Sequence, residues 1–455
     1  MCGIAGAIGK NASLSKKVKE MLNTLKHRGP DGFGVYKSDN LAIGNTLLRI
    51  TGNKPQPIYN KKFALTFNGE IYNFLDIAKE LKINTDSDSE TLFHLINQYG
   101  VENALHKIDG DYAFAYATPN KLILARDTIG VKPLYYGFNN IFAFASEKKA
   151  LWKIGIKEIK ALKPGNILII DLNTLELCEK KVTQIPISDK LIYSEEIAYE
   201  LLSMALRNAV EKRLKEINKI GIAFSGGLDS SLIVAIAKQL INKNNIKLYC
   251  VGMENSHDIK QAKIAAKLLE MEDQLSIKEI NKEELKSTIP KVINAMDLNP
   301  IDRTRPTSLG FISIGVPLYI AAIQAHADGI KVMLSGQGAD ELFAGYHRYL
   351  QINNTENLQK DIIKDLHNIS NANLERDDMV TSANSVELRV PYLDMDVIKI
   401  GLQIAPELKI NKKKKNRKYI LRKVAEKIMP PEIAWKEKKA MQYGTGVHKA
   451  IKRFI

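Results

Sequence analysis

The chain runs to 455 residues, 45% of them hydrophobic and 26% charged, with a formal net charge of +15. That length can bury two or three domain cores, while three cysteines, Cys2, Cys178 and Cys250, far apart and odd in number, exclude a disulfide framework or a zinc pattern. No charged and apolar leader and no apolar run of membrane length is read, so a cytoplasmic protein with reduced thiols and no membrane partner is expected.

The chain opens MCGIAG. Once Met1 is removed, Cys2 carries a thiol nucleophile and an α-amino group of pKa about 8 that can serve as its base. The segments LAIGNTLLRI, FALTFNGEIYNF, YAFAYATPNKLILARD, KPLYYGFNNIFAFASE and GNILIIDLNTLEL then alternate or run apolar between Gly, Asn and Pro, which predicts strands. Helices are expected near Lys16 to Leu25 and Ser89 to Asn97, making an α+β domain of stacked sheets. Asn68, Gly69 and Glu70 end one strand, where a side-chain amide and a backbone N–H can stabilise an oxyanion. An Asn-Gly pair is also a common hairpin turn.

The pattern breaks at Gln184 to Lys190, and helical periodicity begins at Glu195, which places a domain boundary near residue 190. IGIAFSGGLDSSLIVAIAKQL and IKLYCVGMENSHDIKQAKIAAKLL each read as strand, turn and helix, the signature of a parallel sheet, and IKVMLSGQGADELFAGY supplies a third strand. SGGLDSS, Ser225 to Ser231, lies between a strand and a helix beginning near Leu232. Its glycines let backbone N–H groups approach an anion, the hydroxyls add donors, and Asp229 points to Mg²⁺ rather than to a Walker lysine. A second loop, Ser335 to Glu341 (SGQGADE), offers Asp340 as a further carboxylate. Two such loops on adjacent strands define a crevice at the carboxyl edge of the sheet. From Asp361 the chain reads helical and Lys-rich, and the run KKKKNRK (Lys412 to Lys418), without interleaved aromatics, reads as a solvated face rather than a nucleic-acid site.

The pieces MCGIAG, HRGPDG (His27 to Gly32), FNGEIYN (Phe67 to Asn73), SDSE (Ser87 to Glu90), ARDTIGVKPLYY (Ala125 to Tyr136) and FASEKKAL resemble the class II glutaminase domain. SGGLDSS is similar to the pyrophosphate loop of ATP pyrophosphatases. With SGQGADELFAGY and NSVELRVPYLD (Asn384 to Asp394) following in order, the chain resembles the glutamine-hydrolysing asparagine synthetases. The resemblance implies an N-terminal-nucleophile glutaminase domain over 1–190, with stacked antiparallel sheets between helices. An α/β ATP-pyrophosphatase domain with a parallel sheet and a helical C-terminal part follows over 191–455.

It further implies glutamine, aspartate and ATP as substrates, Mg²⁺ as cofactor, channelled ammonia and a β-aspartyl-AMP intermediate; a homodimer is a family-level expectation. Cys2 would attack the glutamine amide, with Asn68 and Gly69 as oxyanion donors, Glu70 and Asp88 on the substrate amine, and Arg49 on its carboxylate. The family pattern Arg-Leu-x-Ile reads Leu47-Leu48-Arg49-Ile50 here, displacing the guanidinium by two residues, the strand period. Ser225, Gly226, Gly227, Asp229 and Ser230 would hold pyrophosphate, with Asp229 and Asp340 on Mg²⁺. Val251, Gly252, Ser335 and Gly336 match the adenine pocket, and Lys438 matches a lysine facing the transferred phosphates.

Gln337 departs from the family, which commonly has Glu there as a candidate base for ammonia, and an amide cannot take a proton. NPIDRTRP (Asn299 to Pro306) matches the aspartate-binding stretch poorly, and the segment between Tyr346 and Arg376 is short. Transfer to a different carboxylate acceptor, and a nucleic-acid modifying role, therefore stand as the other readings at this point.

Overall fold

The computed structural model describes residues 1–10, 13–298, 309–437 and 444–452. They form two compact units, Met1–Gln184 with Ser382–Ser385, and Ile185–Thr381 with Val386–Ile455.

The first unit holds two six-stranded sheets, antiparallel throughout. One runs in the order Ile159–Ala161, Tyr135–Phe138, Phe142–Ala145, Gly3–Ile8, Leu41–Leu47, Gly32–Lys37. The other runs Leu177–Lys181, Asn166–Asp171, Lys121–Arg126, Gly110–Ala117, Ala64–Ile71, Ile58–Tyr59. Ile4, Ile8 and Ile43 of the first share a core with Ala113, Leu122, Leu124 and Leu168 of the second, so the sheets stack face to face.

Helices cover the outer faces. Leu14–Thr24 buries Leu14, Val18, Met21 and Leu22, at helical spacing, against the first sheet. Asp88–Tyr99 packs on strand Ala64–Ile71 and begins at Ser87, whose hydroxyl accepts from Glu90 N. Coverage on both faces explains why GIAGAI and LAIGNTL are buried at every residue instead of alternating. The short helices Phe74–Glu80, Val101–Lys107 and Lys148–Lys153 were outside the sequence expectation, being too brief for a periodicity to show.

The second unit is built on a five-stranded parallel sheet, ordered Leu275–Ile280, Ile246–Met253, Ile220–Ala223, Val332–Leu334, Glu387–Arg389. The three middle strands are those expected from sequence. Both edge strands are additions, short or polar enough to escape an apolar-run criterion; Glu387–Arg389 interrupts a stretch expected to be helical. One expectation is corrected: helix Leu309–Ala327 is long and apolar enough, at a mean hydropathy of 1.5, to cross a membrane by length and composition alone. In the fold it packs on strand Ile246–Met253, and Val316, Ile320 and Ala322 belong to the core of this unit.

Candidate active sites

Cys2 precedes strand Gly3–Ile8 and is 8% exposed, its Sγ 4.0 Å from Leu48 O. The terminus is tied down at each residue. Arg28 Nε donates to Cys2 O at 2.9 Å, Gly3 N donates to Thr46 Oγ1 at 3.1 Å, and Ile4 N donates to Ser146 Oγ at 3.0 Å. Arg28 is fully buried, and its Nη1 pairs with Glu147 Oε1 at 2.7 Å. Burial alone would raise the Glu147 carboxyl, but His27, Lys149 and Arg28 outweigh it and hold it well below the usual range. Arg28 and Glu147 belong to HRGPDG and FASEKKAL, motifs that had suggested the family without suggesting this pairing. Met1 is itself buried, with Lys132 Nζ 2.9 Å from its thioether sulfur. The other thiols differ in kind: Cys178 is exposed, and burial pushes the Cys250 thiol up to about 12.

Asn68 and Gly69 lie within strand Ala64–Ile71, not in a hairpin turn. Asn45 Nδ2, in the facing sheet, donates to Phe67 O at 3.1 Å and so fixes this strand beneath Gly3–Ile8. Asn68 is fully buried, yet neither its Oδ1 nor its Nδ2 finds a hydrogen-bond partner among the described residues. An orphaned buried amide is costly, and a ligand oxygen would satisfy it. A Cβ on Gly69 would meet Asp111 O at 2.3 Å, so the backbone here accepts no other residue without moving.

Glu70 and Asp88 are both buried at the end of that strand. Glu70 Oε1 accepts from Thr51 Oγ1 at 2.8 Å, and Asp88 Oδ2 accepts from Ile71 N at 3.3 Å, which brings the two carboxylates to one end of the unit's second sheet. Arg49 is exposed, its backbone N donating to Asp31 Oδ2 at 3.0 Å. Strand Leu41–Leu47 ends before it, so the strand-period argument for its direction lapses. Its place beside Leu48, the residue Cys2 Sγ approaches, is what links it to this site.

In the second unit, SGGLDSS winds into the helix rather than preceding it: the helix begins at Leu228, four residues ahead of the sequence expectation, with Ser231 N donating to Gly227 O at 3.0 Å. Asp229 and Ser230 therefore sit in the first turn, whose leading N–H groups have no helical partner and face the mouth of the loop. Gly226 has φ +70°, and a Cβ there would meet Gln261 O at 2.6 Å, a conformation and a closeness that only glycine accommodates.

A cavity of about 300 Å³ joins this loop to SGQGADE, and its lining takes in Ser225, Gly227, Asp229, Ser230, Ser335, Gly336, Gln337 and Asp340. Gly226, Val251 and Gly252 do not line it; the last two lie on strand Ile246–Met253, past the register pair Ala223 and Tyr249 at the same sheet edge. Lys438 and Asn299 to Pro306 lie outside the described residues.

The cavity also brings in residues that sequence reasoning missed: His257, Asp258, Gln261, Arg376, Asp377 and Lys436. Above all it missed Lys418. This residue ends the basic run, but only Lys412 to Lys415 are exposed; Lys418 is 1% exposed, which corrects the solvated-face reading at that position. Its Nζ lies 2.7 Å from Asp229 Oδ1 and 2.8 Å from Asp340 Oδ1. Its φ of +57° is a left-handed conformation costing a non-glycine residue about 1–2 kcal/mol. The two carboxylates thus converge on one cation position. Two carboxylates are enough for a Mg²⁺ whose remaining ligands are phosphate oxygens and water, and no group of three or more His, Cys, Asp or Glu able to hold a metal gathers among the described residues. Tyr392, from NSVELRVPYLD, donates its hydroxyl to Asp229 O at 3.0 Å and steadies the same turn.

Two family models match successive parts of the chain. A glutamine amidotransferase domain matches residues 1–177, and asparagine synthase matches 201–362 and 350–455. The chain belongs to the asparagine synthase family. The two matches to asparagine synthase overlap at 350–362, between Tyr346 and Arg376.

Among its relatives, the putative glutamine-hydrolysing asparagine synthetase 1 of Methanocaldococcus jannaschii is 38% identical, covering 99% of this chain and 95% of that protein. The probable glutamine-hydrolysing asparagine synthetase of Dictyostelium discoideum is 29% identical, over 98% of this chain and 85% of its own. The solved glutamine phosphoribosylpyrophosphate amidotransferase of B. subtilis, with ADP and GMP, is 22% identical over 56% of this chain and 67% of that one, at a TM-score of 0.38, too low to carry an argument.

Proposed function

We propose that this asparagine synthase family member transfers the amide nitrogen of glutamine to aspartate at the expense of ATP, yielding asparagine, glutamate, AMP and pyrophosphate. Its relatives' names support the acceptor. The observation that carries the reading is one cavity joining Ser225–Ser230 to Ser335–Asp340, in a chain whose first 177 residues match a glutamine amidotransferase.

In the first unit, Cys2 Sγ attacks the glutamine side-chain carbonyl, its own amine taking the thiol proton once Met1 is gone. The Asn68 amide and Gly69 N–H receive the oxyanion, Glu70 and Asp88 hold the substrate ammonium, and Arg49 holds its carboxylate. In the second unit, ATP lies along the first turn of helix Leu228–Leu240, with Ser225, Gly226, Gly227 and Ser230 on pyrophosphate and Val251, Gly252, Ser335 and Gly336 toward adenine. Asp229 and Asp340 would hold Mg²⁺, which supplies charge neutralisation across the phosphates. Lys418, displaced from these carboxylates, would then face phosphate oxygens, and Lys438 is assigned to the same phosphates on the family resemblance alone. The exposed Cys178 and the reactive Cys2 suit a reducing, cytoplasmic setting.

Incubation with ATP, Mg²⁺, glutamine and aspartate should release asparagine, AMP and pyrophosphate in equal amounts. AMP release with some other carboxylate, and none with aspartate, overturns the reading.

A further inference from the structure

We propose that Asp377 is the proton acceptor of the amide-forming step, taking the proton that ammonia sheds as it attacks the acyl adenylate; the proposal rests on the function just given. The nitrogen lone pair forms the C–N bond, the bond from the carbonyl carbon to the AMP oxygen breaks with its electron pair leaving on AMP, and one N–H proton passes to the Asp377 carboxylate. Without an acceptor in the cavity the adduct would revert by expelling ammonia.

Gln337 carries an amide, which cannot take a proton, and so cannot serve. The structure places a carboxylate against it. Gln337 Nε2 donates to Asp377 Oδ2 at 2.9 Å, while Arg376 Nε donates to Asp377 Oδ1 at 2.7 Å. Both residues line the cavity, as does Arg376. Within its own loop Gln337 is held by its backbone N, which donates to Ser335 Oγ at 3.4 Å. The amide can only donate to Asp377 in this pairing and the guanidinium is always protonated, so both partners leave the carboxylate as the basic group of the trio.

Asp258 and Glu437 also line the cavity but lie on other segments, and the carboxylates of the two loops have cationic or hydroxyl partners of their own. Asp229 and Asp340 share the Lys418 ammonium. Glu341 accepts from Tyr346 and Asn373, at 2.5 and 2.8 Å. Burial raises the Asp377 carboxyl above the usual range against the pull of Arg376, which makes it a stronger base than a solvated aspartate. Asp377 occurs in no motif of the chain, and its relation to the loop spans 40 residues of sequence.

The test compares two reactions of the full-length enzyme. Aspartate-dependent exchange of pyrophosphate into ATP reports adenylation alone, and asparagine formation from added ammonia reports the amide step. Asp377→Asn should keep exchange within about threefold and lower ammonia-dependent synthesis by about 100-fold or more. Exchanging the two groups, Gln337→Glu with Asp377→Asn, should recover at least about tenfold of that loss. Gln337→Glu alone sets two carboxylates side by side, and the acidic limb of its pH–rate profile should rise by about one unit or more. Synthesis by Asp377→Asn at the parent rate overturns the proposal, as does an equal fall in both reactions or an unshifted profile for Gln337→Glu. Absence of exchange in the parent enzyme instead overturns the function and the proposal with it.

Discussion

Lys418 Nζ lies within 2.8 Å of both carboxylate oxygens of Asp229, across 189 residues of sequence. A buried ammonium thereby compensates the charge of Asp229 and Asp340. Lys418→Met leaves Asp229 and Asp340 facing each other and removes a donor for the phosphates. Aspartate-dependent pyrophosphate exchange should fall by about 100-fold or more, with glutamine hydrolysis unchanged. Equal rates in both assays would assign Lys418 a purely structural role.

Asn68 supplies an opposite signature. Its amide makes no hydrogen bond among the described residues, so Asn68→Ala loses no internal bond and should melt within a few degrees of the parent. Glutamine hydrolysis should nonetheless drop by about 100- to 1,000-fold, the cost of one oxyanion donor. A large loss of thermal stability would show that the amide is a packing element instead.

Cys2→Ala should abolish glutamine use and leave synthesis from added ammonia intact. A chain that retains Met1, or carries an N-terminal tag, should behave in the same way, as intact mass and paired assays with glutamine and ammonia will show. Ammonia-dependent synthesis lost along with glutamine use would contradict the division of labour between the units.

Arg28→Met strands the Glu147 carboxylate, fully buried, with His27 and Lys149 as its remaining cations. Breaking one partner of a buried pair costs about 3–5 kcal/mol, so the first unit should melt well below the parent. Because Glu147 titrates below its ordinary range when folded, its contribution is present above an unfolded pKa of about 4.3 and is lost as pH falls through the lower, folded value. Denaturant melts in acid should show that loss in the parent and less of it in Arg28→Met.

Lys409 titrates in the opposite sense. It is fully buried, its Nζ is 3.4 Å from Gln359 Oε1, and burial lowers it to about 7. Between that value and an unfolded pKa of about 10.4 the unfolded chain binds more protons, so stability should rise with pH across this window. Lys409→Met should be more stable at neutral pH and flat across the same range. A parent curve without the rise would show that the ammonium finds solvent or a partner.

The stacked sheets, the parallel sheet and the Gly-rich turn between strand and helix are legible because each rests on local patterns: apolar runs between turn residues, and Gly-Gly between a strand and a helix. Partnerships across long separations are not. Lys418 reads as the last of a lysine run until the fold lays it between Asp229 and Asp340, and Asp377 carries no local mark at all. Arg28 and Glu147 stood in recognised motifs, yet only the fold shows that one grips the other to hold Cys2 O. The helix start at Leu228 was missed because glycines read as a break, whereas Gly227 here caps the first turn.

The initiator methionine is packed as well as any residue of the core, with Lys132 at its sulfur. Its removal, which the proposed function requires, would thus be a remodelling as well as a trimming. A side chain's volume of interior is vacated beside Cys2, and Lys132 passes from a soft thioether neighbour to whatever enters. A chain that keeps Met1 should be the better packed of the two.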